Sequence, residues 1–272
     1  MLNLLMPALD RTGYALVVDE RFAGPDLDER LWLPHHLPHW SSRTASAARY
    51  RIDGQGHGLE LLIEADQPPW YPDGDGWTRV STLQTGEYAG ELGSATGQHR
   101  FRPGLRVRES QSNVALLTPS HGLIECRARA IADPANMVAL WLIGYEDMPE
   151  RSAEICLFEI FGRHVTSDGA RVGMGVHPHG DPAIQDDFER VALIFDATQP
   201  HDYAARWTHH TISFYVDERE VKVVRQSVDY PMQLMLSVFE FVEGPRLGSP
   251  PDAYPKVFGV EWLRVWRDTS GL

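Results

Sequence analysis

The chain has few cysteines, no excess of basic residues and no long apolar run. Its 272 residues include only Cys126 and Cys156, too few for a disulfide framework, and neither has the CxxC or Cys/His spacing of a zinc site. Twenty-five Lys and Arg against 38 Asp and Glu give a net charge of −13, which repels polyphosphates and anionic bilayers. No apolar stretch approaches bilayer-spanning length. We therefore expect no nucleic-acid partner and no membrane partner.

Several catalytic and targeting motifs are also missing. The sequence has no Gly-rich phosphate loop, no Gly-x-Ser-x-Gly elbow and no dinucleotide fingerprint, which excludes nucleotide-dependent and serine-hydrolase chemistry. Pro7, Asp10 and Arg11 interrupt the apolar residues at the start, and no basic region precedes them, so no signal peptide is predicted. By sequence alone the localisation is cytoplasmic, and no cofactor is expected.

What the chain does contain is a series of short alternating segments rich in Val, Ile, Tyr, Phe and Trp. They predict strands at 14–22, 49–52, 59–65, 122–130, 137–144, 154–162, 170–177, 190–195, 203–207, 211–216, 232–241 and 258–267. Helical periodicity is limited to one turn near 27–32. Many short strands without βαβ alternation indicate an all-β fold, a two-sheet antiparallel β-sandwich of the jelly-roll type. We expect residues 1–272 to form a single domain.

Two stretches lack a strand pattern. Residues 67–84 contain PPWYPDGDGW, and residues 243–256 contain GPRLGSPPDAYP. Long loops in compact domains often carry function, so both are predicted to be functional surface loops.

The segment 153–162 places two carboxylates inside an apolar strand. In a regular strand Glu154 and Glu159 would point to opposite faces, because Glu159 lies an odd number of positions after Glu154. Burying one ionised carboxylate without a partner costs several kcal/mol. A one-residue bulge near residue 157 or 158 removes this cost and places Glu154, Cys156 and Glu159 on one face.

Two carboxylates on one bulged strand suit retaining glycoside hydrolysis, which needs a separation of about 5 Å between them. The alternative is an ordinary solvated strand face. Here the sequence resembles glycoside hydrolase family 16, whose signature is Glu-x-Asp-x-x-Glu on a bulged strand. This chain matches it as Glu154-Ile-Cys-Leu-Phe-Glu159, with Cys156 in place of the aspartate. The segments FAGPDLDERLW, GLIECRARA, MVALWLIG, GVHPHG, DYAARWTHHTISFYVDER and VEWLRVW resemble the family in the same order.

The resemblance implies a concanavalin A-like jelly roll and a retaining mechanism. Glu154 would be the nucleophile and Glu159 the general acid that becomes the base in the second step. Cys156 offers only a weak donor and a weaker acceptor where the family has a carboxylate. Catalysis should then be weakened rather than abolished, and Cys156→Asp should change the rate. Cys156 could also be a small residue tolerated at a degenerate site.

The substrate-binding candidates are aromatic residues and one histidine. Trp141 lies one strand before the signature, where it could stack on a sugar or belong to the core. Trp70 and Trp77 lie in the 67–84 loop, where aromatic faces could meet sugar rings or pack within the loop. His177 matches a family position near the cleft, although a lone strand histidine is often structural.

Metal sites are not predicted from the histidines. The groups His35, His36 and His39, His209 with His210, and His177 with His179 lack carboxylate or Cys partners at ligand spacing. The resemblance does imply a structural calcium in some family members, near the opening and closing strands, where this chain has Glu20 and Glu261.

We therefore expect a monomeric, retaining endo-glycosidase that acts on a β-linked polysaccharide or oligosaccharide of the β-glucan type. The alternatives are a weakened or inactive carbohydrate-binding protein on the same fold, motivated by Cys156, and a transglycosylase, which shares the covalent intermediate. Family members are mostly exported, in contrast to the cytoplasmic localisation that the sequence predicts.

Overall fold

The structure is a computed structural model that describes residues 8–52, 54, 58–242 and 253–269. Strands dominate these residues, in chain order β1 (Tyr14–Glu20), β2 (Arg49–Ile52), β3 (Leu59–Ile63), β4 (Arg79–Gln84), β5 (Gly86–Glu87), β6 (Val114–Ala115), β7 (Gly122–Arg129), β8 (Asn136–Gly144), β9 (Glu154–Phe161), β10 (Val165–Thr166), β11 (Gly169–His177), β12 (Asp187–Leu193), β13 (His201–Trp207), β14 (Ile212–Val216), β15 (Arg219–Val224), β16 (Met232–Glu240) and β17 (Lys256–Asp268). Within the same residues, helical structure is confined to α1 (Pro72–Asp75) and to 3₁₀ turns at Pro38–Trp40 and Gly162–His164. None of these helices has the length and hydrophobicity needed to cross a membrane.

The strands form two large sheets and one small one. The eight-stranded sheet has the order β15-β14-β13-β7-β17-β3-β2, with β1 also paired to β17. The seven-stranded sheet has the order β10-β11-β9-β8-β16-β4, with β12 also paired to β11, while β5 and β6 pair with each other. The pairings are antiparallel, including those of β9 with β8 and β11. The predicted all-β, two-sheet antiparallel jelly-roll sandwich is confirmed.

The main core lies between the two large sheets. Apolar side chains from strands of both sheets fill it, and aromatic rings of the two sheets meet there, as where the Phe158 and Tyr203 rings lie 4.5 Å apart. The other face of the seven-stranded sheet carries a second apolar cluster, in which Trp141 and Met235 of the sheet pack with Trp40, Trp70 and other loop residues. The loops therefore cover part of that outer face and leave the rest accessible.

The structure corrects the prediction that 67–84 is entirely loop. Its last six residues form β4, which pairs with β16 along its whole length. The strand pattern is not visible in β4 because its polar residues are buried through hydrogen bonds. The Ser81 hydroxyl donates to the Leu62 carbonyl oxygen (2.7 Å), and the Thr82 hydroxyl donates to the Ser237 hydroxyl (2.8 Å). The helical turn predicted near 27–32 is a single turn closed on the Asp28 carbonyl. Of the predicted loop 243–256, residues 243–252 lie outside the described residues.

Candidate active site

The two signature glutamates line a cavity on the outer face of the seven-stranded sheet. Its volume is about 270 Å³, and it is lined by His99, Met137, Ala139, Trp141, Glu154, Cys156, Glu159, His177, His179 and Phe239. These residues come from strands β8, β9, β11 and β16 and from two loops. The sheet thus provides the floor, and the loop histidines close one side.

A bulge in β9 brings both glutamates to this face. On β8, Leu140 pairs with Phe158 and the next residue, Trp141, pairs with Cys156, so Leu157 is the extra residue. The pairing with β11 shows a register shift at the same place. Leu157 and its neighbours Ile155, Phe158 and Ile160 belong to the main core. The bulge predicted from the burial cost of a carboxylate is therefore present.

Two glycines of β11 lie beside the glutamates at positions where a side chain would not fit. Gly173 lies opposite Glu159, and a Cβ added to it would be 2.5 Å from the Phe188 ring. Gly175 lies opposite Cys156 with a φ of +139°, and its Cβ would be 2.0 Å from the Asp187 carbonyl oxygen. Side chains at either position would crowd this part of the sheet.

Glu154 is buried and surrounded by hydrogen-bond donors. Its Oε2 accepts from His179 Nε2 (2.9 Å) and lies 3.8 Å from His99 Nδ1, while its Oε1 accepts from the Cys156 thiol (2.7 Å). Burial alone would raise the pKa of Glu154, but the hydrogen bond and charge of His179, helped by His99, lower it to about 2. Burial would likewise lower the pKa of His179, yet its bond to Glu154 raises it overall. The carboxylate and the imidazolium therefore form an ion pair.

Cys156 lies between the glutamates as a neutral thiol. It is 2% exposed, and burial raises its pKa well above the usual value, with the charges of Glu154 and Glu159 adding to the effect. A protonated thiol can donate one hydrogen bond, and Glu154 receives it. Cys156 is thus a hydrogen-bond donor here rather than a nucleophilic thiolate.

Glu159 has an environment opposite in effect to that of Glu154. Its side chain is 19% exposed, and the described contact to a cation is a long one, 3.5 Å from Arg190 Nη2 to Oε1. Burial raises the pKa of Glu159, the negative charge of Glu154 raises it further, and the charges of Arg190 and His177 only partly oppose them. Two neighbouring carboxyls whose pKa values are pushed apart have the properties of an ionised nucleophile and a protonated acid.

The loop residues around Glu154 have left-handed backbones, which are uncommon for residues other than glycine. The φ angles are +50° at His99, +57° at Glu146 and +46° at His179. A carboxylate oxygen of Glu146 accepts from the backbone N–H of His99. Burial raises the pKa of Glu146 to about 7, against that hydrogen bond. Three such residues at one site fit the tendency of strained backbone to occur where geometry serves function.

The sequence matches a family model over the region that contains this site. Residues 110–249, just over half of the chain, match the model of the glycosyl hydrolases family 16. The chain belongs to this family. No curated protein matches it.

Solved structures agree with the family 16 assignment. The GlcNAcα1-4Gal releasing endo-β-galactosidase from Clostridium perfringens is 27% identical, with a TM-score of 0.80 over 97% of this chain and 65% of that one. The chain thus spans just under two thirds of the length of that relative. A non-specific endo-β-1,3(4)-glucanase of family 16 is 17% identical (TM-score 0.64, 97% and 96% covered), and a laminarinase from Flavobacterium sp. UMI-01 is 17% identical (TM-score 0.60, 93% and 100%). The last two show the fold alone.

The substrate-binding candidates fall into two groups. Trp141 and His177 line the cavity that contains Glu154 and Glu159. Trp141 Nε1 donates to the Ser237 hydroxyl (3.0 Å), and His177 Nδ1 lies 2.6 Å from an Asp186 oxygen. Trp70 and Trp77 are not among the lining residues. Trp70 is only 2% exposed and donates to Asp75 (2.7 Å), so its ring is covered by protein, whereas Trp77 is 44% exposed.

The sequence did not single out His99, His179 or Glu146 as partners of Glu154. His179 drew attention only as one half of a His-x-His pair, and His99 lies in a segment without a motif. They meet Glu154 through tertiary structure, from 55 residues before it and 25 after it. The left-handed backbone that marks them cannot be seen from their residue types, so no local signal could have found them.

Metal ligation at this site would compete with its hydrogen bonds. The side-chain ligand atoms of His99, Glu154 and His179 lie within 4.8 Å of one another, as do those of Glu154, Cys156 and His177. Both groups use Glu154, whose two oxygens already accept hydrogen bonds. An ion here would remove the carboxylate from any role as a nucleophile.

The calcium that some family members carry near the opening and closing strands does not fit the two carboxylates that this chain has there. Glu20 accepts from the backbone N–H of Phe22 (2.6 Å), and Glu261 accepts from Arg127 Nε (2.8 Å). A calcium ion takes six to eight oxygen ligands, mostly from carboxylates, carbonyls and water. Glu261 is instead paired with a cation, and we derive no role for calcium.

Proposed function

We propose that this family 16 protein is a retaining endo-glycosidase in which Glu154 is the nucleophile and Glu159 the acid/base. The observation that carries the proposal is the bulged strand β9, which aims both carboxyls into one cavity and gives them opposite environments. Glu154 is held ionised by donors on both oxygens, while Glu159 has burial and a neighbouring negative charge that favour its proton. Family membership and the 27% identical endo-β-galactosidase support the assignment.

In the first step the Glu154 carboxylate attacks the anomeric carbon from one face of the sugar. The bond from that carbon to the glycosidic oxygen breaks, and Glu159 gives its proton to the departing oxygen. In the second step the ionised Glu159 takes a proton from water, whose oxygen attacks the anomeric carbon and releases Glu154. A sugar hydroxyl in place of water would give transglycosylation by the same residues.

His179 and Cys156 would act on the nucleophile rather than on the substrate. Both hydrogen bonds fix the orientation of the Glu154 carboxylate and keep it charged at neutral pH. The charge-assisted bond from His179 is of a kind that contributes about 1.5–3 kcal/mol, and the thiol of Cys156 is the weaker donor. The ion pair with His179 can therefore supply part of the ordering that an aspartate at position 156 would provide.

For the substrate we propose a β-linked polysaccharide or oligosaccharide, with a β-galactosidic linkage tested beside the β-glucans. The resemblance of the signature segment to family 16 favours a β-glucan. The relative with the higher identity and TM-score acts as an endo-β-galactosidase. The weakly active or inactive carbohydrate-binding protein is the second candidate, because Cys156 replaces a carboxylate.

The test is release of reducing ends from β-1,3, mixed β-1,3/1,4 and β-1,4 glucans, galactans and glycans with GlcNAcα1-4Gal ends. Wild-type protein is compared with Glu154→Gln and Glu159→Gln. Glu189→Gln is the matched control, because Glu189 is an exposed carboxylate on neighbouring β12. We expect release by wild type and the control and a loss of at least a thousandfold in the two site variants. Retained glycan binding without release would favour the binding protein.

A further inference from the structure

Three side chains distant in sequence converge at a site that does not include the cavity residues. His121 directly precedes β7, His209 lies in the turn between β13 and β14, and Asp229 lies in the segment before β16. The Asp229 Oδ1 is 3.6 Å from His121 Nε2 and 3.7 Å from His209 Nδ1. The three ligand atoms all lie within 4.8 Å of one another, and the two imidazole rings are 4.0 Å apart.

This arrangement has the composition and spacing of a site for a borderline divalent metal ion. Imidazole nitrogen and carboxylate oxygen bind Zn²⁺ at about 2.0–2.2 Å, so ligand atoms of a tetrahedral site are roughly 3.4 Å apart. The two distances to Asp229 are within a few tenths of an ångström of that spacing. Little rearrangement would bring all three atoms to one ion.

One of the three ligand atoms, His121 Nε2, is buried without a hydrogen-bond partner among the described residues. Asp229 lies beyond hydrogen-bond distance from it. Buried polar atoms without a partner are rare and call for an explanation such as a bound ion. Protonating both imidazoles would place two like charges side by side, whereas one cation between the neutral rings satisfies both.

The segments that carry the ligands are held in place. The His121 ring lies against Trp207, with centroids 5.1 Å apart. His209 belongs to a tight turn closed by hydrogen bonds between Thr208 and Thr211. A site whose ligands are positioned before binding loses less conformational entropy when the ion arrives.

We propose that His121, His209 and Asp229 bind a divalent transition-metal ion of the Zn²⁺ type, with a fourth position open to water. The ion would link the beginning of β7, the β13–β14 turn and the segment before β16, and so stabilise the sandwich. None of the three residues lines the cavity with Glu154 and Glu159, so the proposal is independent of the glycosidase activity. Along the sequence only His210 stands beside His209, because the other two members of the group lie 88 residues before His209 and 20 after it.

The test is titration of the chelator-treated full chain with Zn²⁺ alone, followed by calorimetry and by thermal unfolding. His209→Ala removes a ligand that is 71% exposed, so the variant should fold normally. His210→Ala is the matched control, since it is the adjacent, exposed histidine outside the group. Glu154→Gln removes the carboxylate that both candidate ligand groups in the cavity share, so this variant distinguishes an ion bound in the cavity from one bound by His209.

We expect wild type, His210→Ala and Glu154→Gln to bind Zn²⁺ at this site with the same affinity. In His209→Ala and Asp229→Asn the site should be lost or should bind Zn²⁺ at least tenfold more weakly. At a hundredfold excess over Kd the ion should raise the Tm of wild type by roughly 5 °C but not that of His209→Ala. Equal affinity and equal Tm shifts in wild type and His209→Ala would overturn the proposal. So would the absence of Zn²⁺ binding to wild type at millimolar concentration.

Discussion

Removing the charge of Arg190 should extend the proposed glycosidase activity to higher pH. Arg190 Nη2 lies 3.5 Å from Glu159 Oε1 and holds the pKa of Glu159 below the value that burial and Glu154 would otherwise give it. Arg190→Met keeps an apolar stem against the Phe161 and Phe188 rings, which the guanidinium now overlies. The variant should therefore lose the charge and little of the packing.

The size of the effect follows from the exposure of the pair. The side chains of Arg190 and Glu159 are 44% and 19% exposed, so solvent screens their attraction. Pairs of this kind are worth about 0.2–1 kcal/mol. At about 1.4 kcal/mol per pKa unit, the pKa of Glu159 should rise by roughly 0.1–0.7 units. Because the first step needs a protonated Glu159, the alkaline limb of kcat/KM should move to higher pH by the same amount.

The assay is the pH profile of kcat/KM, whose alkaline limb reports the acid of the free enzyme. Arg171→Met is the control, because Arg171 is an exposed arginine on neighbouring β11 that carries the same charge. We expect its alkaline limb to stay where the wild-type limb lies. A downward shift in Arg190→Met, or an equal upward shift in both variants, would refute the assignment of Glu159 as the acid.

Three further changes test the surroundings of the glutamates. Cys156→Asp adds a buried negative charge, so it should raise the pKa of Glu159 and increase kcat/KM above neutral pH by up to about tenfold. Cys156→Ser adds no charge and should leave the alkaline limb unchanged. The pH profiles of kcat/KM of the two variants test this. His179→Ala removes a charge-assisted hydrogen bond to Glu154, so the acidic limb of kcat/KM should move to higher pH by about 1–2 pH units. An unchanged acidic limb would show that this bond does not keep Glu154 ionised. Gly175→Ala should lower the free energy of unfolding by about 3 kcal/mol or more, because its Cβ would be 2.0 Å from a backbone oxygen. Gly104→Ala, with open space around its Cβ, should lower the free energy of unfolding by less. Urea titrations measure both values.

The strands of this fold could be predicted where apolar, β-branched and aromatic side chains dominate a segment. Strands β7, β8, β9 and β16 were found close to their observed bounds, because each buries apolar side chains on at least one face. β4 was missed because its polar side chains are buried through specific hydrogen bonds that the sequence does not reveal. β15 was missed for another reason: it is partly exposed, and it follows a tight turn formed by Asp217 and Glu218, both with positive φ. Asp-Glu is not a typical sequence for such a turn.

The candidate site could be predicted only along one strand. The bulge at Leu157 followed from a physical argument about Glu154 and Glu159, and the register of β9 agrees with it. The partners that adjust the pKa values of the two glutamates include loop histidines and Arg190 of β12, and their positions depend on the whole sandwich. For Trp70 the sequence left open whether the ring meets a sugar or packs within the loop, and only the tertiary contacts show that the ring is buried.

The roles of the two glutamates are tested most directly by azide rescue of their alanine variants. With an aryl β-glycoside of the preferred sugar, azide can replace the missing nucleophile in Glu154→Ala, giving a glycosyl azide of inverted, α configuration. In Glu159→Ala azide would instead attack the covalent intermediate and give the β-glycosyl azide. We predict both rescues, with these opposite configurations. A β-azide from Glu154→Ala, or no rescue of either variant on a substrate that wild type cleaves, would contradict the account.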